Sequence, residues 1–235
     1  MKYCYVSSFY FGSRRVFPQL YEEDRLLFLK KHLSKLKKLK HNISLAVFVI
    51  NRADGLESIE KEAQELILQF KDIKTDIILR DNIDGSYGCW EDALKKHSEE
   101  FDYCFLIEDD YVPVSDNFDK KFQEHLKREK DIYACQLWWN EFGGYHAGIS
   151  NGLIKCSAFR EKGEFSLNRN VHSYGPAEHN QMNFLRNFTD DGWAVVDICK
   201  KYKNLFLNYQ NNIVCYGNEK GEELIRPIHD KVGEC

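Results

Sequence analysis

Strand-like and helix-like segments alternate along the first half of the chain. Short apolar runs rich in β-branched and aromatic residues are each followed by an amphipathic segment whose apolar residues recur at helical spacing. This βαβαβαβ order predicts an α/β fold in which a mixed, mostly parallel central sheet is flanked by helices. The predicted strands cover residues 3–8, 44–51, 75–79 and 103–107, and the predicted helices cover residues 22–39, 56–70 and 89–100.

The second half of the chain is less regular. Residues 216–235 combine Gly, Glu and Lys and are predicted to form a flexible tail or lid. No repeat or linker separates two halves, so we expect a single domain over residues 1–235. The elements predicted here are a helix over residues 117–128, a strand around 132–139, an irregular Gly-rich segment over 143–152, strands near 153–157 and a helix over 177–187.

The charge balance argues against a nucleic-acid partner. Lys and Arg together number 33 and Asp and Glu together number 37, which gives a formal net charge of −4 at pH 7. The chain therefore lacks the basic field with which nucleic-acid-binding proteins attract phosphates. One basic cluster lies in residues 30–40, where Lys residues alternate with Leu residues at helical spacing. We predict that these lysines coat the outer face of a helix, with docking to a membrane surface or an acidic polymer as the alternative.

The cysteines and the N-terminus bear on the compartment. The eight cysteines include no C-x-x-C pair, which argues against a zinc site and a disulfide framework. The N-terminus lacks the features of a signal peptide, and no apolar run approaches the roughly 18 residues of a transmembrane segment. We therefore expect a soluble, cytoplasmic protein with no transmembrane segment.

Three consecutive carboxylates, Glu108, Asp109 and Asp110, follow the last predicted strand of the alternating half. Carboxylates this close repel one another strongly if they are partly buried, so a divalent cation that prefers oxygen ligands, Mn²⁺ or Mg²⁺, is the natural neutraliser. Ligands of mainly parallel sheets bind at the carboxyl ends of the strands, which is where these acids lie. The sequence therefore predicts a metal–diphosphate site, with a solvated acidic turn as the alternative.

Together with the strand order and the Gly-rich second half, the triplet resembles a glycosyltransferase of the GT-A fold. Glu108-Asp109-Asp110 is similar to the Asp-x-Asp or Glu-Asp-Asp metal signature that this fold carries at a strand end. Residues 80–94 resemble the family-2-type segment in which Asn, Gly and a small residue precede a helix. In physical terms, Gly85 and Gly88 would let the backbone approach a ligand, and the free amides of the following helix would suit a diphosphate.

The resemblance covers nearly the whole chain and is nearest to the minimal single-domain GT-A enzymes of bacteria and large viruses. It implies a nucleotide-sugar-binding half over residues 1–113 and an acceptor-binding half with a C-terminal tail or lid over residues 114–235. It further implies transfer of a sugar from a nucleotide-diphosphate donor, with a UDP-sugar favoured, to a hydroxyl of a glycan or saccharide acceptor.

Two motifs of the second half carry the metal and base assignments that the resemblance implies. Ile228-His229-Asp230 resembles the C-terminal histidine that many GT-A enzymes place on the metal, so Asp110 and His229 are the expected protein ligands. Glu178 heads a segment similar to the acidic motif of inverting enzymes and is the expected general base, with Asp190 and Asp191 as substitutes. The usual Glu-Asp pair is replaced by Glu178-His179, which leaves the base and the stereochemical outcome open.

The remaining expected contacts involve the nucleotide and the sugar. Polar groups after the first two strands can recognise a base or a ribose, and ordinary loop polarity is the alternative. Trp138, Trp139, Tyr145 and His146 surround a Gly-Gly turn and suit stacking on a sugar, although core packing would take at least one tryptophan. The expected donor-binding residues are Ser7, Ser8, Arg14, Asn51, Asp54, Asp81, Gly85, Ser86, Trp90, Glu108 and Asp109.

Three other functions are alternatives. A sugar nucleotidyltransferase would need a Gly-rich basic loop near the N-terminus, which Gly12-Ser13-Arg14-Arg15 matches poorly. A non-catalytic carbohydrate-binding module of the same fold would not need intact acids. A metal-dependent phosphoesterase would need more histidines and acids spread over several strand ends.

Overall fold

The computed structural model describes residues 1–12, 24–139, 145–165, 189–198, 205–208, 213–217 and 223–227. These ranges form two sheets and the helices that pack on them. The strands of the larger sheet are β1 (Tyr3–Tyr10), β2 (Ile43–Asn51), β3 (Lys74–Arg80), β4 (Tyr103–Glu108), β6 (Asp131–Trp139), β7 (Tyr145–Lys155) and β8 (Ala194–Asp197). Those of the smaller sheet are β5 (Tyr111–Pro113), β9 (Phe206–Asn208), β10 (Ile213–Gly217) and β11 (Glu223–Pro227). The helices are α1 (Leu27–Lys38), α2 (Glu57–Gln69), α3 (Gly85–His97), α4 (Phe118–Gln123) and α5 (Cys156–Lys162).

The seven-stranded sheet has the order β3-β2-β1-β4-β7-β6-β8. The first four of these strands are parallel, β7 is antiparallel to both β4 and β6, and β8 is parallel to β6. The prediction of a mixed, mostly parallel sheet is thus confirmed. Since β4, β6 and β8 run in the same direction, their carboxyl ends lie at the edge that also holds the carboxyl ends of β1, β2 and β3.

Strand alternation divides the core between the two faces of this sheet. On one face, Tyr5, Phe48 and Phe105 are fully buried and belong to a cluster that includes residues of α1, α2 and α4. On the other face, Val6 and Val47 belong to a second buried cluster with residues of α3 and α5. The helices therefore cover both faces, and each fully buried large apolar side chain contributes about 1.5–3 kcal/mol to folding.

The predicted elements of the first half are present, with shifted ends. Helix α1 begins only at Leu27, and the carboxylate of Asp24 accepts the N–H of Leu26 at 3.0 Å just before it. Helix α3 begins at Gly85, four residues before the predicted start, and α4 ends at Gln123 where a helix to 128 was predicted. These ends depend on turns that apolar periodicity does not report.

Two segments of the second half contain strands that the sequence did not predict. The Gly-rich segment is largely strand, because β7 runs from Tyr145 to Lys155 and pairs with both β4 and β6. A Cβ at Gly152 would lie 2.0 Å from the hydroxyl oxygen of Tyr133, so glycine is required there by close packing within the sheet. Part of the expected flexible tail is also strand, since β10 and β11 pair in antiparallel fashion. Among the described residues, no helix is long and apolar enough to cross a membrane.

Candidate active site

The acidic triplet forms the connection between the two sheets. Glu108 is the last residue of β4, Asp109 and Asp110 form a turn, and β5 of the smaller sheet begins at Tyr111. Asp109 is 7% exposed and Asp110 is 3% exposed, whereas Glu108 is half-buried. A solvated acidic turn would leave these side chains in water. The burial of Asp109 and Asp110 therefore favours a binding site over a solvated turn.

A cleft of about 230 Å³ lies beside this turn. Three parallel strands end there, and the first turn of α3 forms part of the wall. It therefore occupies the carboxyl edge of the sheet, the usual binding position in α/β folds. The described residues that line it are Ser8, Phe9, Tyr10, Asn51, Ser86, Glu108, Asp109 and Asp110.

Two contacts from outside the turn hold Asp109. The backbone N–H of Tyr10 donates to Asp109 Oδ2 at 3.3 Å. His32, which lies on the buried face of α1, is 2.7 Å through Nε2 from the carbonyl oxygen of Asp109 and 2.7 Å through Nδ1 from the hydroxyl of Tyr5. A carbonyl can only accept, so Nε2 carries the proton and the Tyr5 hydroxyl donates to Nδ1. Burial lowers the pKa of His32 to about 4, against a smaller opposing effect of the Asp109 hydrogen bond, and the ring is neutral at pH 7.

Arg80 orients Asn51 at the other side of the cleft. Its Nη1 donates to Asn51 Oδ1 at 3.0 Å and to the carbonyl of Ile83 at 2.7 Å, while Nε donates to Asp92 Oδ2 at 2.7 Å. A Cβ at Gly88 would lie 2.6 Å from Arg80 Nη2 and 2.7 Å from the Ile83 oxygen. Gly88 therefore makes room for Arg80, and not for a ligand as its position in the sequence had indicated.

Helix α3 reaches the cleft through Ser86, which lies in its first turn. Asp84 and Gly85 both have left-handed backbone conformations, with φ of 61° and 53°. Gly85 is thus required by its φ rather than by close approach of a ligand, since a Cβ there would meet no atom within 4 Å. The first-turn N–H groups of a helix carry partial positive charge and favour an anion.

The lining is strongly acidic. It includes three carboxylates, and none of the described lining residues is Lys or Arg. Within the described ranges, no group of three or more His, Cys, Asp or Glu side chains is arranged to hold a metal ion. Carboxylate oxygens are nevertheless the donors that Mg²⁺ prefers, and Mg²⁺ is commonly held by one or two carboxylates together with substrate phosphates. The donor set thus fits a divalent cation that is shared with a phosphate ligand.

The predicted site residues divide into two groups. The cleft brings together Ser8, Asn51, Ser86 and the three acids. Ser7 is fully buried, and among the described residues its hydroxyl has no hydrogen-bond partner. Trp90 is also fully buried and donates through Nε1 to the carbonyl of Ile107 at 3.3 Å, so it packs in the core and does not line the cleft. Asp54 and Asp81 are exposed and lie outside the lining.

None of the acidic residues predicted as general base is among the described residues that line the cleft. Asp191 is exposed, pairs with Lys162 at 2.6 Å and precedes the amino end of β8. Because β8 runs in the same direction as β4, Asp191 is at the edge opposite the acidic turn, and this position does not support a catalytic role. Arg14, Glu178 and His229 lie outside the described residues.

Sequence reasoning missed four residues that shape the site: Phe9, Tyr10, His32 and Arg80. Phe9 and Tyr10 are aromatic residues that extend β1 by two positions beyond Ser8, and that signal was present in the sequence. His32 falls four residues after Phe28 and four before Leu36, on the apolar face of α1, so its burial could also have been read. No local pattern marks Arg80, whose partners come from three elements.

Comparison with known proteins supports the fold. No protein-family model matches the sequence, and no curated protein is similar to it in sequence. Among solved structures, the mannosyltransferase PcManGT from Pyrobaculum calidifontis in complex with GDP-Man and Mn²⁺ has a TM-score of 0.55 and 9% identity, over 83% of this chain and 54% of that chain. The chain thus spans about half the length of that enzyme.

Two nucleotidyltransferases have folds of comparable similarity. CMP:2-keto-3-deoxy-manno-octonic acid synthetase complexed with CTP has a TM-score of 0.52 and 8% identity, over 84% of this chain and 89% of that chain. A cytidylyltransferase from Leptospira borgpetersenii has a TM-score of 0.50 and 12% identity, over 84% and 75% of the two chains. These likenesses confirm a fold of the GT-A type, which glycosyltransferases and nucleotidyltransferases share.

Proposed function

We propose that the chain is a metal-dependent glycosyltransferase that moves a sugar from a nucleotide-diphosphate donor, a UDP-sugar by preference, to a hydroxyl of a glycan acceptor. One observation carries this proposal. Three carboxylates, an oriented amide and a helix amino end line one cleft at the carboxyl edge of the sheet. These are the groups needed to hold a metal-bound diphosphate next to a nucleoside.

Asp110 is the proposed metal ligand on the acidic turn, with His229 as a second ligand from the C-terminal segment. When bound, Mn²⁺ or Mg²⁺ would offset the negative charge that develops on the departing diphosphate. Glu108 and Asp109 would hold the cation's water ligands or the donor sugar. Without a cation, the same three acids would repel a diphosphate, so we expect nucleotide binding to depend on metal.

The nucleoside would lie toward the ends of β1 and β2, in the proposed donor half of residues 1–113. Asn51 and Ser8 offer amide and hydroxyl groups there, and Asn51 is fixed by Arg80. Ser86 and the amino end of α3 face the same cleft and would receive the diphosphate. Because β1 lies between β2 and β4 in the sheet, the base and ribose would lie toward Asn51, on the side of the cleft away from the acidic turn.

The acceptor would approach from the half formed by residues 114–235. The end of β6 and the start of β7 lie at the same sheet edge as the acidic turn, with Trp139 opposite Tyr145 and Trp138 opposite His146 in the strand register. Aromatic residues at this edge suit a saccharide. Glu178 is the proposed base, which would take the acceptor proton as that hydroxyl attacks the anomeric carbon from the side opposite the leaving group and inverts the configuration.

Calorimetric titration with UDP, GDP, CMP and TDP, each with and without Mn²⁺, tests the proposal. We expect one nucleoside diphosphate to bind only with metal, and Asp110→Asn to abolish that binding while keeping the shape of the side chain. Asp72→Asn is the matched control, because Asp72 is an exposed carboxylate that precedes β3 at the opposite edge. Failure of every nucleotide to bind under either condition would refute the proposal and favour a non-catalytic carbohydrate-binding module.

A sugar nucleotidyltransferase is the second candidate, supported by the two nucleotidyltransferase structures whose chains are covered over 75% and 89% of their lengths. Such an enzyme transfers the nucleoside monophosphate group of a nucleoside triphosphate to a sugar or sugar phosphate and releases pyrophosphate. The two reactions differ in their products. Release of pyrophosphate from UTP or CTP would support this candidate, and release of a nucleoside diphosphate from a nucleotide sugar would support the glycosyltransferase.

A further inference from the structure

We infer that His32 is a positioning residue: together with Tyr5 it forms a buried hydrogen-bond relay that fixes the peptide plane from which Asp110 presents its carboxylate to a divalent cation. The role of the cation rests on the proposed function. The relay itself does not, because it is a feature of the folded chain.

The relay connects three elements that are distant in sequence. The Tyr5 hydroxyl comes from β1, the imidazole of His32 comes from α1, and the carbonyl of Asp109 lies in the turn between β4 and β5. Both hydrogen bonds are 2.7 Å long, and Tyr5 and His32 have no exposed surface. Water therefore does not compete for either bond, and each is stronger than an exposed one.

The carbonyl of Asp109 is an effective point at which to control Asp110. A peptide unit is planar, so the C=O of Asp109 and the N–H of Asp110 are held in one rigid group. A hydrogen bond that fixes the direction of this carbonyl therefore fixes the start of the Asp110 residue. The contact from Tyr10 N–H to Asp109 Oδ2 holds the side chain of the same residue, so the turn is fixed through both its backbone and a side chain.

Tyr5 completes the relay by holding the other nitrogen of the His32 ring. A neutral imidazole has one N–H, and the Asp109 carbonyl, which can only accept, requires that proton on Nε2, so the Tyr5 hydroxyl donates to Nδ1. Outer groups that orient a metal ligand in this way typically change metal affinity about 10- to 100-fold when they are removed. We expect His32 to act on the acidic turn with an effect of that size.

Three variants separate positioning from ordinary packing. His32→Leu removes both hydrogen bonds and puts an apolar side chain of similar size in the same place. His32→Gln retains an amide donor that can reach the Asp109 carbonyl. Leu29→Ala is the matched control, because Leu29 is fully buried on the same face of α1 and its truncation lowers stability without changing the relay.

The first measurement is hydrogen–deuterium exchange of the metal-free protein at Glu108–Tyr111. We expect exchange about tenfold faster in His32→Leu than in Leu29→Ala, since one buried hydrogen bond is lost at the turn. The second is calorimetric binding of Mn²⁺ in the presence of UDP. We expect His32→Leu to bind about 10- to 100-fold more weakly, His32→Gln to recover most of the affinity, and Leu29→Ala to bind as the wild type does.

Equal exchange and equal affinity in His32→Leu and Leu29→Ala would overturn the inference. If the wild type binds no Mn²⁺ with UDP, the proposed function fails, and the exchange measurement alone decides the relay. Should His32→Leu not fold, Tyr5→Phe decides the same point. That variant removes the hydrogen bond that holds the ring at Nδ1, so the bond from Nε2 to the Asp109 carbonyl is less firmly positioned, and unchanged exchange at the turn would overturn the relay.

Discussion

The burial of His32 has a thermodynamic consequence apart from its contact with the acidic turn. In the folded protein, desolvation lowers the pKa of its imidazole from 6.5 to about 4. In the unfolded chain the same ring is in water and has its ordinary pKa. Between pH 6.5 and about 4 the unfolded chain therefore binds a proton that the folded protein does not, and this difference makes stability rise with pH across that window.

We predict that acidification from pH 7 to pH 5 costs the wild type about 2 kcal/mol of unfolding free energy through His32 alone. Urea unfolding at the two pH values, in the wild type and in His32→Gln, measures this share. The variant should be less stable at pH 7 but should lose about 2 kcal/mol less on acidification, because glutamine does not titrate. An identical pH dependence in the two proteins would contradict the assignment.

Individual residues also show what the sequence could and could not predict. Ser8, Asn51 and the three acids line one cleft because each lies at a strand end and the carboxyl ends of parallel strands meet at one edge; their binding roles stay predictions. Trp90 is among the predicted donor-binding residues, and the predicted helix starts only at residue 89. The helix begins at Gly85, which places Trp90 in its second turn and in the buried core.

At the scale of elements, Arg80 fastens β3 to β2 and to α3. Its guanidinium contacts Asn51 of β2 and Asp92 of α3, as well as the carbonyl of Ile83 in the loop between β3 and α3. The side chain is 13% exposed, so these bonds are largely shielded from water. A fork of several donors is required for this geometry, and lysine does not have one.

We predict that Arg80→Lys lowers the free energy of unfolding by about 1–2 kcal/mol and weakens nucleotide binding, because Asn51 loses its fixed partner. Arg52→Lys is the control, since Arg52 is exposed and its ion pair with the exposed carboxylate of Asp81 is long at 3.8 Å. Its effect on stability should be near zero. Urea unfolding and calorimetric titration with the nucleotide found for the wild type measure both effects, and equal results for the two variants would be inconsistent with the role of Arg80.

The order of elements in the first half was predictable for a physical reason. Each strand and helix there buries one side against its neighbours, and that burial leaves a local period in the sequence. The pairing of β7 between β4 and β6 leaves no such signal, because Gly152 is required by the side chain of Tyr133 on another strand. The smaller sheet is similar, since β5 is only three residues long and gains its partner β9 from the far end of the chain.

At the scale of the whole molecule, the acidic turn is where two sheets meet. One side of the turn continues into β4 at the centre of the larger sheet, and the other continues into β5 at the edge of the smaller sheet. Helix α1 covers the junction and reaches it through His32. A ligand that orders this turn must therefore act on both sheets, although most of its contacts would come from the larger one.

We predict that Mn²⁺ with a bound nucleoside diphosphate slows hydrogen exchange in β9 as well as in the cleft. At a ligand concentration about 100 times Kd, binding stabilises the folded site by about 2.7 kcal/mol, so amides that exchange only when the junction unfolds locally should slow about 100-fold. Phe206–Asn208 pairs directly with Tyr111–Pro113 and should share this protection. Residues of α2, which lie far along the sheet beside β3, should exchange at an unchanged rate by local opening.

Asp110→Asn should show no ligand-dependent protection in either region, because it cannot hold the metal. Protection confined to the acidic turn and absent from Phe206–Asn208 would mean that the two sheets respond to the ligand independently, since the turn would then be ordered without any effect on the strand that follows it.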